Sequence, residues 1–141
     1  MIKKITCIFF ALLLSLPVYS ASLDIGRDQD SIHMDPILVN QNADVWVLNN
    51  MHALIVRNNR EATGIEPDLA ESWDISSDGK TYTFNLRDNL KFNDGTPLTS
   101  SDAKFSIERL RDGEGSVFGG MFGIIDSIDT PDDRTIVFNL K

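Results

Sequence analysis

Cysteine is almost absent from the chain. Cys7 is the only one, and it sits inside an apolar run near the start. No disulfide, zinc-thiolate site or cysteine nucleophile can therefore form beyond the first twenty residues. Histidine is nearly as scarce. His33 and His52 have no metal partner at i+4, and no HExxH pattern is present. Ser116 has no G-x-S-x-G elbow around it, because Glu114 stands where the first glycine belongs. Gly113-Glu114-Gly115 lacks the further glycine and the Lys-Ser/Thr of a phosphate loop. Asp28 and Asp30 are not followed by the glycine and glutamate of an EF-hand. The chain reads as a non-enzyme with no metal and no cofactor.

Positive charge is the second shortage. Thirteen Lys and Arg face 21 Asp and Glu over 141 residues, a net charge of −8. Such a balance lacks the basic footprint that nucleic-acid binding needs, and its plainest consequence is solubility. Long apolar runs are also few. Ile5 to Leu16 is the one candidate, and its twelve residues fall short of the roughly 20 that a spanning helix requires. Lys3 and Lys4 precede it, and Pro17-Val18-Tyr19-Ser20 follows with small residues before a cut after Ser20. This is the layout of a secretory signal peptide over residues 1–20. Cys7 lies too early for a lipoprotein cut. Removal of the segment leaves 11 basic against 21 acidic residues, a balance of −10, and about 120 residues, enough for one modest domain.

What remains has a clear rhythm. Ser22 to Arg27 reads as a short strand, and "DQDSIHMDP" as a loop closed by Pro36. Ala43 to His52 has helical spacing with Val47, Met51 and Leu54 on one face and Trp46 beside them, passing into a strand near Leu54 to Arg57. "NNRE" turns the chain, a proline-led turn is expected around Pro67 to Glu71, and Ser72 to Ile75 reads as a strand. Asp78-Gly79 then returns it as Thr81 to Arg87, with Tyr82, Phe84 and Leu86 on one face. Leu90 to Phe92 suggests a shorter strand ended by Asn93-Asp94-Gly95. Thr99 and Asp102 mark a capped helix. Its inner face is Ala103, Ile107 and Leu110, with Phe105 or Phe118 to cover it, and Gly113 ends it. "GEGSVFGGMFG" is a glycine-rich loop or bend.

One unit occurs twice. "TYTFNLR" at 81–87 returns as "TIVFNLK" at 135–141, and "SDGK" is matched by "PDDR" just before each. Two hairpins on one pattern, sharing a sheet, are expected to place Phe84 and Phe138 in one core.

The stretch "EPDLAESWDISSDGKTYTFNLRDNLKFNDGTPLTSSDAKFSIERLRD", Glu66 to Asp112, resembles the extracytoplasmic solute-binding proteins of peptide and nickel ABC importers. Pro67, Leu69, Ala70, Ser72, Trp73, Asp78, Gly79, Tyr82, Phe84, Arg87, Lys91, Gly95, Pro97 and Asp102 fall in register with that family's pattern. "SIHMDP" resembles the L-D-P after its first strand. His52-Ala53-Leu54 departs from it, where an acidic residue and a glycine usually precede the leucine. The resemblance implies an α+β fold forming the N-terminal portion of a two-lobed periplasmic binding protein. Residues 21–42 would be the first strand and loop of the main ligand-binding lobe. Residues 43–141 would form most of the smaller lobe, with antiparallel hairpins and a capped helix, incomplete at its C-terminal end. It also implies a periplasmic substrate-binding component, with a peptide or other small solute and inner-membrane permease subunits as partners. The stretch after Pro36 would enter the cleft, making Asn40, Gln41 and Asn42 the ligand-binding candidates. His33, in the loop before it, is a fourth. A stand-alone secreted interaction domain, or a remnant without a transport role, is the rival reading.

Overall fold

The computed structural model describes Gly26 and residues 29–141. The expected signal segment and, apart from Gly26, the expected strand Ser22–Arg27 lie outside the described residues. A 3-10 turn, Pro36–Leu38, leads into helix α1, Asn42–Met51. A two-stranded ribbon follows, β1 (Val56–Asn58) paired antiparallel with β2 (Ile65–Pro67). The main sheet has four strands: β3 (Ala70–Ile75), β4 (Thr81–Leu86), β5 (Ile125–Asp132) and β6 (Thr135–Leu140). Its order is β3-β4-β6-β5, with every neighbouring pair antiparallel. Helices α2 (Ser100–Asp112) and α3 (Gly119–Phe122) connect the two hairpins.

The repeated unit builds this sheet about a local two-fold axis. β4 and β6 pair as Tyr82↔Phe138, Thr83↔Val137 and Phe84↔Ile136. Because residue i of one unit matches residue i + 54 of the other, Thr83 and Val137 are equivalent positions facing each other. The outer strands correspond too, but one residue further on, with i matching i + 55. Ser72 and Ser127 lie opposite Asn85 and Asn139, and Asp74 and Asp129 lie opposite Thr83 and Val137. Each asparagine donates Nδ2–H to its own serine hydroxyl, at 3.1 Å and 3.0 Å. A register shift follows Ala70 in one hairpin and Ile125 in the other. The sheet is one hairpin used twice.

The turns differ in detail but use the same device. Gly79 has φ of 70°, which glycine adopts without penalty, and the Asp78 carboxylate accepts from Ser76 Oγ and Lys80 N–H. In the second hairpin the Asp132 carboxylate accepts from the N–H groups of Arg134 and Thr135, both at 2.8 Å.

The core lies on the face carrying Leu86, Ile128, Ile136 and Phe138, with Ala70 and Ile125, all buried. Ala103 and Ile107 of α2 pack against it from the inner face expected for that helix. Phe84 and Phe138 meet edge to face, 5.6 Å between ring centroids, a diagonal contact across β4 and β6. The expected pairing of the two aromatics therefore holds, with Phe138 buried and Phe84 half-buried. Burial of Leu86 or Ile136 contributes about 1.5–3 kcal/mol each. Asp102 accepts from the Thr99 N–H at 2.7 Å and its hydroxyl at 2.8 Å, fixing the start of α2. Ser100, also buried, donates its backbone N–H to Asp133 O and so ties the helix to the β5–β6 turn.

Four local expectations need correction. Phe105 is 66% exposed and so is not the cover for the inner face of α2; Phe118, the other candidate, lies along one groove with Leu110 and meets Phe122 edge to face. In α1 the buried positions are Ala43, Asp44 and Leu48, while Trp46 and Met51 face outward and Val47 is half-buried. Leu90–Phe92 forms only one bridge, Lys91↔Pro97, because the Asn93–Gly95 turn closes the segment on itself. Pro67 ends β2 and pairs with Val56, so the turn is confined to Asp68 and Leu69. Among the described residues that ribbon has two strands, and an edge position tolerates the missing N–H of proline.

Candidate functional site

Residues 30–42 wrap around the start of α1, and one buried carboxylate organises them. Asp44, the third helical residue, has no solvent exposure. Its Oδ1 accepts from the Ser31 hydroxyl and the Ile32 N–H, both at 2.9 Å, and from the His33 N–H at 3.2 Å. A fourth donor is Gln41 Nε2, at 3.2 Å. Oδ2 is buried without a hydrogen-bond partner among the described residues. Burial alone would raise the Asp44 pKa. The donors from His33, Gln41, Ser31 and Ile32 outweigh it and hold the pKa at about 2.

A second carboxylate fastens the segment from the other side. Asp35 caps the 3-10 turn through the Ile37 N–H, at 3.3 Å, and takes two hydrogen bonds from the Arg109 guanidinium of α2. The Arg109 hydrogen bonds hold Asp35 below the usual carboxylate range and push Arg109 higher still. Val117 N–H donates to Ile37 O at 3.0 Å, so the loop after α2 also grips the turn. Gly113 belongs to this contact. A Cβ there would lie 2.4 Å from the Arg109 carbonyl oxygen and 3.4 Å from Ile37 Cδ1.

Between these anchors runs an apolar groove of about 240 Å³. Pro36, Val39, Leu48, Leu54, Leu110 and Phe118 contribute to its walls, and Asn49 and His52 give it polar points. A second, open and charged recess lies at the far end of the sheet around Arg134. Arg134 spends its guanidinium there on Leu86 O, Glu71 and Asp88, which makes it a structural clasp.

The four residues singled out from the sequence fall on one short arc. His33 is half-buried, its N–H bound to Asp44. Asn40 and Asn42 are exposed, and their side chains make no hydrogen bond among the described residues. Gln41 is half-buried, with Nε2 donating to Asp30 O at 3.3 Å as well as to Asp44. Sequence reasoning missed Asp44 and the Asp35–Arg109 pair. An acid three residues after a polar helix-capping position was the available signal for Asp44. Among the described residues, no group of three or more His, Cys, Asp or Glu could hold a metal ion.

The description "bacterial extracellular solute-binding proteins, family 5 middle" matches residues 64–141. The chain is 36% identical over 123 residues to a putative ABC transporter peptide-binding protein of Brucella ovis, covering 86% of this chain and 23% of that protein. It is 37% identical over 124 residues to the probable D,D-dipeptide-binding periplasmic protein DdpA of Escherichia coli, covering 84% and 24%. Among solved structures, the binding protein MoaA of Agrobacterium tumefaciens R10, in complex with mannopinic acid, superimposes with a TM-score of 0.72 at 29% identity, covering 79% of this chain and 24% of that one. The chain belongs to the family of bacterial extracellular solute-binding proteins that the sequence resemblance indicated. Its α+β architecture corresponds to a portion of a two-lobed binding protein, and it spans about a quarter of the length of the relatives it matches.

Proposed function

We propose that the chain supplies the solute-facing N-terminal part of a binding protein that serves an ABC importer for peptides or related small solutes. His33, Asn40, Gln41 and Asn42 are its solute contacts from the first lobe. Residues 21–42 belong to that lobe and residues 43–141 to the smaller one. The signal segment directs the chain to the periplasm, where the loaded form meets the permease subunits of the inner membrane. The single observation that carries this reading is the polar arc at 40–42, exposed at Asn40 and Asn42 and next in sequence to Val39 of an apolar groove, held in place by Asp44 and Arg109. Polar groups at the rim of an apolar hollow suit a small solute with a polar backbone and an apolar side chain. The two relatives named as peptide-binding favour a peptide, whereas the mannopinic acid held by MoaA widens the class to other small acids.

Calorimetric titration of the chain with mixed di- and tripeptides tests the proposal. An open surface leaves water competing for each hydrogen bond, so binding is expected to be weak, with a dissociation constant near the millimolar range. Alanine at Asn40 and Asn42 should abolish that weak heat. Binding left unchanged by both substitutions would remove these residues from the site.

A further inference from the structure

We propose that Asp44 is a positioning residue that fixes the Gln41 side-chain amide so that its carbonyl oxygen, Oε1, faces the solute as an acceptor for an N–H group. The inference rests on the solute-facing reading of residues 31–42 and adds to it the polarity of one contact.

An amide side chain can present either a donor or an acceptor, and its neighbours decide which. Both groups beside Gln41 Nε2 accept only: the Asp44 carboxylate at 3.2 Å and the Asp30 carbonyl at 3.3 Å. A flipped amide would set Oε1 against two acceptor oxygens, one of them charged. The NH₂ group is therefore spent on the protein. Oε1 has no partner among the described residues, yet it is not a buried unsatisfied atom, so it reaches the surface. Gln41 consequently offers the solute an acceptor. Its flanking residues Asn40 and Asn42, free of such constraint, can turn to offer either group.

Asp44 is suited to this role because its own geometry is over-determined. Oδ1 collects three further donors from Ser31, Ile32 and His33, which lock the carboxylate before Gln41 is counted. A single acceptor atom thus links His33 and Gln41, two candidate contact residues eight positions apart in sequence. A peptide N–H or an ammonium group fits an acceptor at this position. A solute presenting only carboxylate or carbonyl oxygen there does not.

The test uses the isotope-labelled full chain, NMR of the Gln41 side chain, and L-alanyl-L-alanine as the probe. In the native protein the Gln41 Nε2 protons should exchange with solvent at least about tenfold more slowly than those of Asn40. Asp44→Ala should erase that protection. Asp44→Asn should retain most of it, because the asparagine carbonyl can occupy the place of Oδ1. Millimolar dipeptide should move the Gln41 Cδ resonance in the native and Asp44→Asn chains, and several-fold less in Asp44→Ala. Native Nε2 protons that exchange as fast as those of Asn40 would overturn the positioning role. Protected Nε2 protons with a Cδ resonance indifferent to dipeptide would overturn the solute-facing reading of the segment, and with it the acceptor assignment. The native-protein readings stand even if Asp44→Ala fails to fold.

Discussion

Arg109 grips both carboxylate oxygens of Asp35, at 2.6 and 2.5 Å, joining residues 74 positions apart. One lies in the loop before α1 and the other near the end of α2. Parallel hydrogen bonds of this kind need the planar guanidinium, which lysine cannot imitate. Arg109→Lys should therefore loosen the 3-10 turn without disturbing the sheet. Amide exchange reports this directly, since Leu38 N–H donates to Asp35 O and Val117 N–H to Ile37 O. Both amides should exchange faster in the variant while those of β4 and β6 stay as they were. Equal acceleration throughout the sheet would mean that the pair supports the whole fold instead.

Phe138 and Phe84 make the same contact from unequal positions. Phe138 is 8% exposed and Phe84 is only half-buried. Phe138→Ala is expected to cost about 3–5 kcal/mol in urea unfolding. Phe84→Ala should cost distinctly less, because part of the ring already meets water. Equal losses would indicate that shared edge-to-face packing, not burial, sets both values.

Two glycines are required for different reasons. Gly79 has a positive φ but open space around it, so Gly79→Ala should cost only about 1–2 kcal/mol of left-handed strain. Gly113 has an ordinary φ of −63°, yet a Cβ would strike the Arg109 carbonyl at 2.4 Å. That obstacle is backbone and cannot rotate away. Gly113→Ala should be the more destabilising of the two and should loosen the Asp35–Arg109 contact. A milder effect at Gly113 than at Gly79 would contradict this ranking.

Acid should weaken the fold in a defined window. Asp44 titrates at about 2 in the folded chain, and hydrogen bonds also depress Asp35, Asp78, Asp94 and Asp132. A depressed carboxylate binds protons more readily in the unfolded chain, so its stabilisation is complete above the unfolded value of about 3.9 and drains away as pH falls toward 2. Urea midpoints should hardly change between pH 6 and 5, then fall steeply below pH 4. Asp35→Asn should flatten that fall. Midpoints that rise on acidification through this window would reverse the sign of the account.

The hairpins could be read from the sequence because their causes are local. Asp78-Gly79 specifies a turn by itself, and the alternation of Tyr82, Phe84 and Leu86 specifies a face. The repeat went further, since two strands of one pattern satisfy each other's edges, and β4 indeed pairs with β6. Thr99 and Asp102 likewise announce a helix start through neighbours three residues apart. What stayed hidden depends on distant partners. Nothing around Asp44 says that its carboxylate will gather Ser31, Ile32 and His33, and nothing around Arg109 points to Asp35. The outward positions of Met51 and Phe105 escape the sequence for a related reason: periodicity identifies an apolar residue but not whether a neighbour covers it. Residues 33 and 40–42 were candidates from residue type and resemblance alone, while the apolar groove needed Leu110 and Phe118 from far along the chain.

Photo-crosslinking addresses the central claim, that residues 31–42 and the adjoining groove face the solute. A dipeptide carrying a diazirine side chain, irradiated with the full chain and mapped by mass spectrometry, tolerates weak binding because each encounter is trapped covalently. The account predicts attachment within residues 31–42 and along the groove at Val45, Leu48, Leu54 or Phe118, competed away by excess unlabelled dipeptide. Attachment concentrated on the polar sheet face around Ser72, Asn85 and Asn139, or spread evenly and indifferent to competitor, would contradict it.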